Sequence, residues 1–521
     1  METLLNLFVS IVSQPAILVS LIALLGLVLQ KKKFSDVVQG TLKTFVGFLV
    51  LIGGAGLLAN SLTPFAEMFQ TALNTQGVVP SNEAVVAIAL QQYGTPTALI
   101  MLVGMVVNIL LARFTRFKYI FLTGQAMMYV SCLTAVILVG AGFSVSLPMI
   151  LLGGLFEGTL LTVTPALCQP FMKQITGNDK VAMGHTGNIG YAASGFIGKV
   201  FGNKEKSTED IKIPKSFGFL RDSTISIMIL MSIVYVILAL LAGTGYVEHE
   251  LSNGENAIIF SLIQAGTFTA GFVVVLQGVR MVLGEIVPAF QGIAKKLVPN
   301  SKPALDVPII FPYAPNAVLI GFFVSFIVGT ISMLAMVGLN TTVIIPGVVG
   351  HFFCGAAAGV FGNSTGGRRG AILGAAFNGL LISWLPLFIL PVLGDLQLAS
   401  STFADTDYLI PGLFLGKLGE AGPSLLVGGI IAFVVVVLLA SAVLTMREKK
   451  SRRRKLSVFF YKKGKWDRSQ NDFCPICLLP LFLDKLCNLF PRLSSFWQVL
   501  FHCENVLHAR HQSASILWSW P

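Results

Sequence analysis

The sequence predicts an all-α, polytopic membrane protein, and three observations carry that expectation. Of 521 residues, 54% are hydrophobic and only 12% are charged, where a soluble domain is about a quarter charged. The mean hydropathy is +0.79. Apolar runs recur as far as residue 446, each long enough to cross a hydrocarbon core of about 30 Å as a helix. Lys and Arg fall in alternate connections between those runs.

Taken in order, about eleven spans are expected, at residues 10–30, 44–62, 97–112, 120–143, 147–166, 224–246, 257–280, 316–337, 343–361, 371–393 and 424–446. The first apolar stretch has no basic region before it and runs on to Gln30, so it reads as a retained helix rather than a cleaved signal. The membrane body is therefore expected over residues 1–447, with an atypical basic tail at 448–521. A net charge of +12 could point to nucleic acid, but the basic residues sit in short clusters between apolar spans, which excludes that partner in favour of a lipid bilayer.

The charge pattern also orients the chain. Lys31, Lys32, Lys33 and Lys43, then Arg113, Arg116 and Lys118, then the cluster from Lys173 to Arg221, then Lys295, Lys296 and Lys302, then Arg368 and Arg369 occupy alternate connections. The intervening loops at 62–96, 144–146, 247–256 and 338–342 hold no Lys or Arg, and 394–423 holds only Lys417. Basic residues stay cytoplasmic, so the N-terminus is expected outside and the C-terminus inside. That requires an odd number of spans, and eleven satisfies it.

An internal inverted repeat is expected as well. Without gaps, Gly47, Phe48, Gly54 and Pro64 align with Gly271, Phe272, Gly278 and Pro288, at a constant offset of 224. Pro96 with Pro315 and Gly124 with Gly347 echo the offset at 219 and 223. Spans two and seven cross in opposite directions by the charge pattern, as an inverted repeat demands. The halves then cover about 1–222 and 223–423, followed by a final span at 424–446.

Non-helical backbone is tolerated at membrane depth only where protein or a water-filled cavity satisfies it, so irregular segments locate a site. Residues 165–202, with Pro165, Pro170, His185, Thr186, Asn188 and five glycines from Gly184 to Gly198, read as a re-entrant hairpin. In the second segment, Pro303 to Pro315, Asp306 is surrounded by apolar residues and by Pro308 and Pro312. A membrane carboxylate costs about 2.5 to 3.5 kcal/mol on insertion scales, which makes Asp306 a site candidate, with a loop-end carboxylate at the headgroup level as its alternative. Glu157, alone in the middle of span five, is a candidate for substrate contact, with a proton-carrying or structural role as its alternative. His185 and His351 can donate to hydroxyl or carboxylate oxygens, although a lone histidine beside an apolar helix is often simply packed.

Several stretches together resemble a known family: TLKTFVGFLVLIGGAGLL at 41–58, LTG at 122–124, GH at 184–185, KVFGNKEKSTEDIKIP at 199–214, LQGVRM, YAPNAV, and IIPG followed by GVFGN and GG. They resemble the ascorbate-type membrane subunit (EIIC) of the bacterial phosphotransferase system, across residues 1–447. The resemblance implies a homodimer in which a substrate-binding core domain moves against a dimerising domain. The carbohydrate, ascorbate or a relative, is taken up outside and phosphorylated inside. The phosphoryl group comes from a cytoplasmic B component (EIIB) charged by an A component (EIIA), and the membrane subunit is not itself an enzyme. His185 and Asp306 match family binding residues. Glu83, Gln125, Tyr129, Thr186 and His351 stand where the ascorbate subunit is expected to have Tyr, His, Gln, Gln and Met, which points to a different sugar acid, pentose or polyol. The competing class is an ion-coupled secondary transporter of a small polar or anionic substrate, which shares inverted repeats and a buried carboxylate.

No cofactor or metal is expected in the transport body. The tail holds four of the seven cysteines, and Cys474 and Cys477 form a C-x-x-C. The downstream Cys487, His502, Cys503, His508 and His511 do not follow a regular zinc-finger spacing.

Overall fold

The computed structural model describes residues 15–74, 77–212, 218–220, 222–393 and 401–466. The protein is a polytopic all-α membrane protein. Eight of its described helices are long and apolar enough to cross a membrane, and Val19–Val28 and Gly124–Gly140 are shorter apolar helices. The chain divides into two units, Met1–Thr445 and Met446–Pro521.

The first half runs α1 (Pro15–Leu29), α2 (Phe34–Leu73), β1 (Gly77–Pro80), α3 (Asn82–Phe114), β2 (Tyr119–Phe121), α4 (Gly124–Gly140), α5 (Leu147–Thr176), β3 (Ala182–Met183) and α6 (Asn188–Phe201). The second runs α7 (Ser223–Ala242), α8 (Ala257–Leu297), β4 (Lys302–Leu305), a 3-10 segment Val307–Tyr313, α9 (Pro315–Gly338) and β5 (Val343–Ile344). A short turn, Val348–Gly350, and a π-helical turn, His351–Gly355, lead into α10 (Ala356–Ile389); β6 (Ser401–Thr402), α11 (Thr406–Ala421) and α12 (Pro423–Trp466) complete the described chain.

Helix α10 is not one span. Gly367 sits at φ 58, ψ −151 inside it. A Cβ on Gly362 would lie 3.1 Å from the Cα of Ala371. A straight helix, rising about 1.5 Å per residue, would hold those two positions roughly 13 Å apart. The chain therefore folds back there, and only glycine enters that backbone region freely. Two expectations are corrected. Pro165 and Pro170 do not open an irregular segment, because α5 carries both and continues to Thr176; neighbouring groups can take up the carbonyls a proline frees in an apolar helix. The stretch 394–423 is not simply a connection, since it contains α11, whose first residues are buried.

The six strands form two three-stranded parallel sheets, ordered β5-β1-β6 and β2-β4-β3. In the first, Gly77 and Val78 pair with Val343 and Ile344, and Val79 and Pro80 with Ser401 and Thr402. In the second, Lys302 and Pro303 pair with Tyr119 and Ile120, and Ala304 and Leu305 with Ala182 and Met183. Adding 225 to β1 gives β4, subtracting 224 from β5 gives the first two residues of β2, and subtracting 219 from β6 gives β3. The registers correspond pair by pair under those offsets. The tail cysteines and histidines lie outside the described residues.

Candidate substrate site

Strand register decides which side chains meet. On β3 and β4, Met183 pairs with Leu305, and the Gly184 amide donates to the Leu305 carbonyl at 2.7 Å. The next residues, His185 and Asp306, are thereby set side by side. On β1 and β6, Pro80 pairs with Thr402 and the Ser81 amide donates to the Thr402 carbonyl at 2.9 Å. That pairing brings Asn82 and Glu83 beside Asp405. A cavity of about 140 Å³ lies between these strand ends, lined by Asn82, Glu83, Gln125, Tyr129, His185, Thr186, Asp306, Asp405 and Tyr408 among others. Leu276 and Arg280 of α8 complete the lining on another side.

Six of the residues singled out in the sequence therefore converge: Asp306, His185, Thr186, Glu83, Gln125 and Tyr129. His185 Nε2 lies 4.0 Å from Asp306 Oδ1 and 4.0 Å from Asp405 Oδ2. Its Nδ1 is 2.7 Å from the Tyr191 hydroxyl, which donates onward to Cys354 Sγ at 3.5 Å. Nε2 is the ring nitrogen that faces both carboxylates. The Gln125 amide donates to Asp306 Oδ2 at 3.2 Å, and the Val307 amide to Oδ1 at 2.7 Å. Asp405 accepts from Asn82 Nδ2 at 2.8 Å and from the Thr186 hydroxyl at 2.6 Å. The Tyr129 hydroxyl is buried with no hydrogen-bond partner among the described residues.

The starts of α6 and α11 lock together beneath this cluster. Asp407 accepts the amides of Asn188 and Ile189 at 3.1 and 2.8 Å, and Thr406 Oγ1 accepts that of Gly190 at 3.1 Å. In return the Asp407 amide donates to the Thr186 carbonyl at 2.7 Å. These bonds satisfy the unpaired amides of a helix start and fix His185 and Thr186 where the chain enters α6.

The other two candidates lie elsewhere. His351 is 2% exposed and is not among the cavity-lining residues. Its Nδ1 bonds the Ser325 hydroxyl at 2.8 Å and its ring packs edge-on against Phe326 of α9, the π-helical turn carrying it away from neighbouring Val349, Gly350 and Phe353, which do line the cavity. Glu157 is wholly buried, is not among the lining residues, and packs onto Gly104 of α3, where any Cβ would collide with it. Neither of its carboxyl oxygens has a hydrogen-bond partner among the described residues. Ser131, which approaches it from α4, donates to the Met127 carbonyl instead at 2.8 Å.

Asn82, Asp405, Tyr408 and Arg280 were not singled out by sequence reasoning. A signal for Asp405 exists, since its separation from Thr186 is 219, the offset that already relates Pro96 to Pro315. At the edge of the described fold, Asp179 joins α5 to β4: it accepts from Lys302 Nζ at 2.6 Å and Gln169 Nε2 at 2.7 Å and pairs with Lys173 at 2.9 Å.

Residues 10–407 match the family described as PTS system sugar-specific permease component. An ascorbate-specific PTS system EIIC component of Mycoplasma pneumoniae is 26% identical over 420 residues, covering 71% of this chain. The aligned part spans 64% of that relative's length. With most of its length matched, from α1 through the six strands that frame the cavity, the chain belongs to the sugar-specific permease components of the phosphotransferase system.

Proposed function

We propose that this chain is the membrane-embedded, sugar-translocating subunit of a phosphoenolpyruvate-dependent phosphotransferase system, with the cavity between β1, β4 and the starts of α6 and α11 as its sugar site. The observation that carries this is the convergence of His185, Thr186, Asp306, Glu83, Gln125 and Tyr129, drawn from four separate stretches of chain, on one polar cavity. Asp306 and Asp405 would accept from sugar hydroxyls, and His185 and Tyr129 would orient the ring or chain between them. Ascorbate is the substrate for which the Mycoplasma pneumoniae relative is named, and a carbohydrate related to it is the substrate class here. A cytoplasmic B component recharged by an A component would phosphorylate the sugar as it emerges, and two protomers would form the working unit.

The matched registers of the two sheets support an inverted repeat of five plus five spans plus one, whose pseudo-symmetry axis passes near the cavity. Gln125, Ala126 and Tyr129 line it together with Val349, Gly350 and Phe353, their counterparts at the offset of 224. Counting Val348–Leu393 as two spans across Gly367 and including both shorter apolar helices gives eleven crossings. By the distribution of Lys and Arg, the N-terminus is outside and Met446 cytoplasmic.

Uptake into vesicles tests the mechanism: substrate should enter only when the A and B components and phosphoenolpyruvate are supplied, and should be recovered phosphorylated. Accumulation of unmodified substrate on a proton or sodium gradient would instead identify an ion-coupled carrier. Reporters after Met446 and near Asn253 test the topology, and should be cytoplasmic and external respectively.

A further inference from the structure

We propose that the cavity selects a neutral, hydroxyl-rich sugar or sugar alcohol and discriminates against a sugar acid of the same carbon skeleton. This rests on the assignment of the cavity as the sugar site and narrows its substrate class.

The lining is rich in acceptors and poor in free donors. Three carboxyl groups, Glu83, Asp306 and Asp405, face one guanidinium, Arg280, among the described residues that line it. The neutral donors nearest those carboxylates are already engaged. Asn82 and Thr186 donate to Asp405, and Gln125 to Asp306. The Nε2 of His185 lies 4.0 Å from both Asp306 and Asp405, so any proton it carries is directed at the protein's own carboxylates.

Helix starts are the usual alternative for holding an anion, because their first amides point outward with partial positive charge. Here they are filled by the protein itself. Asp407 and Thr406 take the amides of Asn188, Ile189 and Gly190 at the start of α6. The amides of Tyr408 and Leu409 donate to the Asp405 carbonyl at 3.0 Å each, and the Asp407 amide to the Thr186 carbonyl. Ser81 accepts the Ala84 amide at the start of α3, and Asp306 accepts that of Val307.

A ligand that satisfies this lining must bring donors. A run of hydroxyls does so, each giving a proton to a carboxylate and accepting, where needed, from the Tyr129 hydroxyl. A carboxylate or enolate brings acceptors and negative charge to an already acidic surface, and like-charge juxtaposition at a buried interface is costly. Arg280 of α8 can offset one charge, against three carboxyl groups in the same lining.

Calorimetry on the purified full-length protein with matched pairs tests this: ribitol against ribonate, glucitol against gluconate, and glucose against glucuronate, at pH 7. The expected result is that the neutral member of a bound pair binds at least about tenfold more tightly than its acid. The variant Glu83→Gln, which removes one carboxyl group while keeping the shape, should narrow that ratio. An acid bound as tightly as its neutral partner, or more tightly, overturns the proposed selectivity and leaves the sugar site standing. No binding by any member of the three pairs overturns both, because the cavity would then not be a sugar site of this kind.

Discussion

Gly47 of α2 and Gly278 of α8 meet backbone to backbone: a Cβ on Gly47 would lie 3.0 Å from the Gly278 carbonyl oxygen, and one on Gly278 2.7 Å from that of Gly47. Two turns along, Gly54 faces Gly271, and a Cβ on Gly54 would lie 3.1 Å from the Gly271 carbonyl oxygen. Gly47 corresponds to Gly271, and Gly54 to Gly278, at the same offset of 224. Each glycine therefore touches the counterpart of the other, which is the signature of a two-fold related contact, here made within one chain. Apolar helices in lipid associate through such close approach, since lipid offers no hydrophobic drive between them.

This contact should be intolerant of side chains. Gly47→Leu or Gly278→Leu forces the two backbones apart and should cost about 1 to 3 kcal/mol each by overpacking. Gly53 and Gly56, on the same helix with nothing within 4 Å of a built Cβ, serve as controls. Gly53→Ala should leave stability unchanged or raise it, since alanine is the better helix former. Melting temperatures of the purified variants in detergent check the contrast, and an equal loss at Gly53 and Gly278 would show that the crossing is not close-packed.

How much of this could be read beforehand follows from what each feature depends on. Span positions depend on local composition, and Lys and Arg placement acts on each loop separately, so both are visible without knowing any contact. The pairing of Gly47 with Gly271 is legible for the same reason, being a repetition along the chain. Helix α11 is not legible by length or hydropathy, because a 16-residue segment with Asp407, Gly412, Gly416, Lys417 and Glu420 fits neither a span nor a loop. Asp405 belongs to the site only through the pairing of β6 with the distant β1, which sets it against Asn82 at a sequence separation of 323. Which way His351 points depends on a π-helical turn that leaves no mark in the apolar pattern.

Within the cavity, Asp306→Asn keeps shape but removes charge. A hydroxyl bonded to a carboxylate is held more strongly than one bonded to an amide, so affinity should fall by about 1 to 3 kcal/mol, roughly tenfold or more. His185→Ala should act in the same direction. Expression and melting temperature should change little in Asp306→Asn, because Val307 can still donate to the amide oxygen and the Gln125 amide, turned over, can accept from the new NH2 group. Ligand titration of both variants measures this, and wild-type affinity in both would move the site elsewhere.

Asp179 provides a pH test outside the spans. Partial burial pushes its pKa up, but hydrogen bonds from Lys302, Lys173 and Gln169 outweigh that and bring it from 3.8 down to about 2. A carboxyl with a depressed folded-state pKa contributes stability that is complete above its unfolded value and is lost as pH falls through the folded one. Its contribution should therefore be constant from pH 5 to 8 and decline between about 4 and 2. Since the side chain is 43% exposed, Asp179→Asn should cost no more than about 1 kcal/mol at pH 7. The melting difference between wild type and variant should shrink towards pH 3, and a difference that grows on acidification would contradict the ion-pair origin.

Glu157 separates the two transport mechanisms. Its carboxyl is sealed between α3 and α5 against Gly104, with both oxygens unpartnered among the described residues and no place in the cavity lining. An ion-coupled carrier would use such a group to load and release a proton as the protein moves, whereas a phosphotransferase permease draws its drive from the phosphoryl donor and has no need of it. Glu157→Gln retains the shape against Gly104 and cannot ionise. Substrate affinity should stay within about twofold of wild type, because the side chain is not part of the lining and a surviving shape leaves distant packing additive. Phosphorylation-coupled uptake in vesicles carrying the A and B components should likewise persist, with the same dependence on external pH as the wild type. If uptake collapses while binding is retained, the carboxyl carries protons in the transport cycle, and the coupling assigned here to phosphoryl transfer would have to be shared with it.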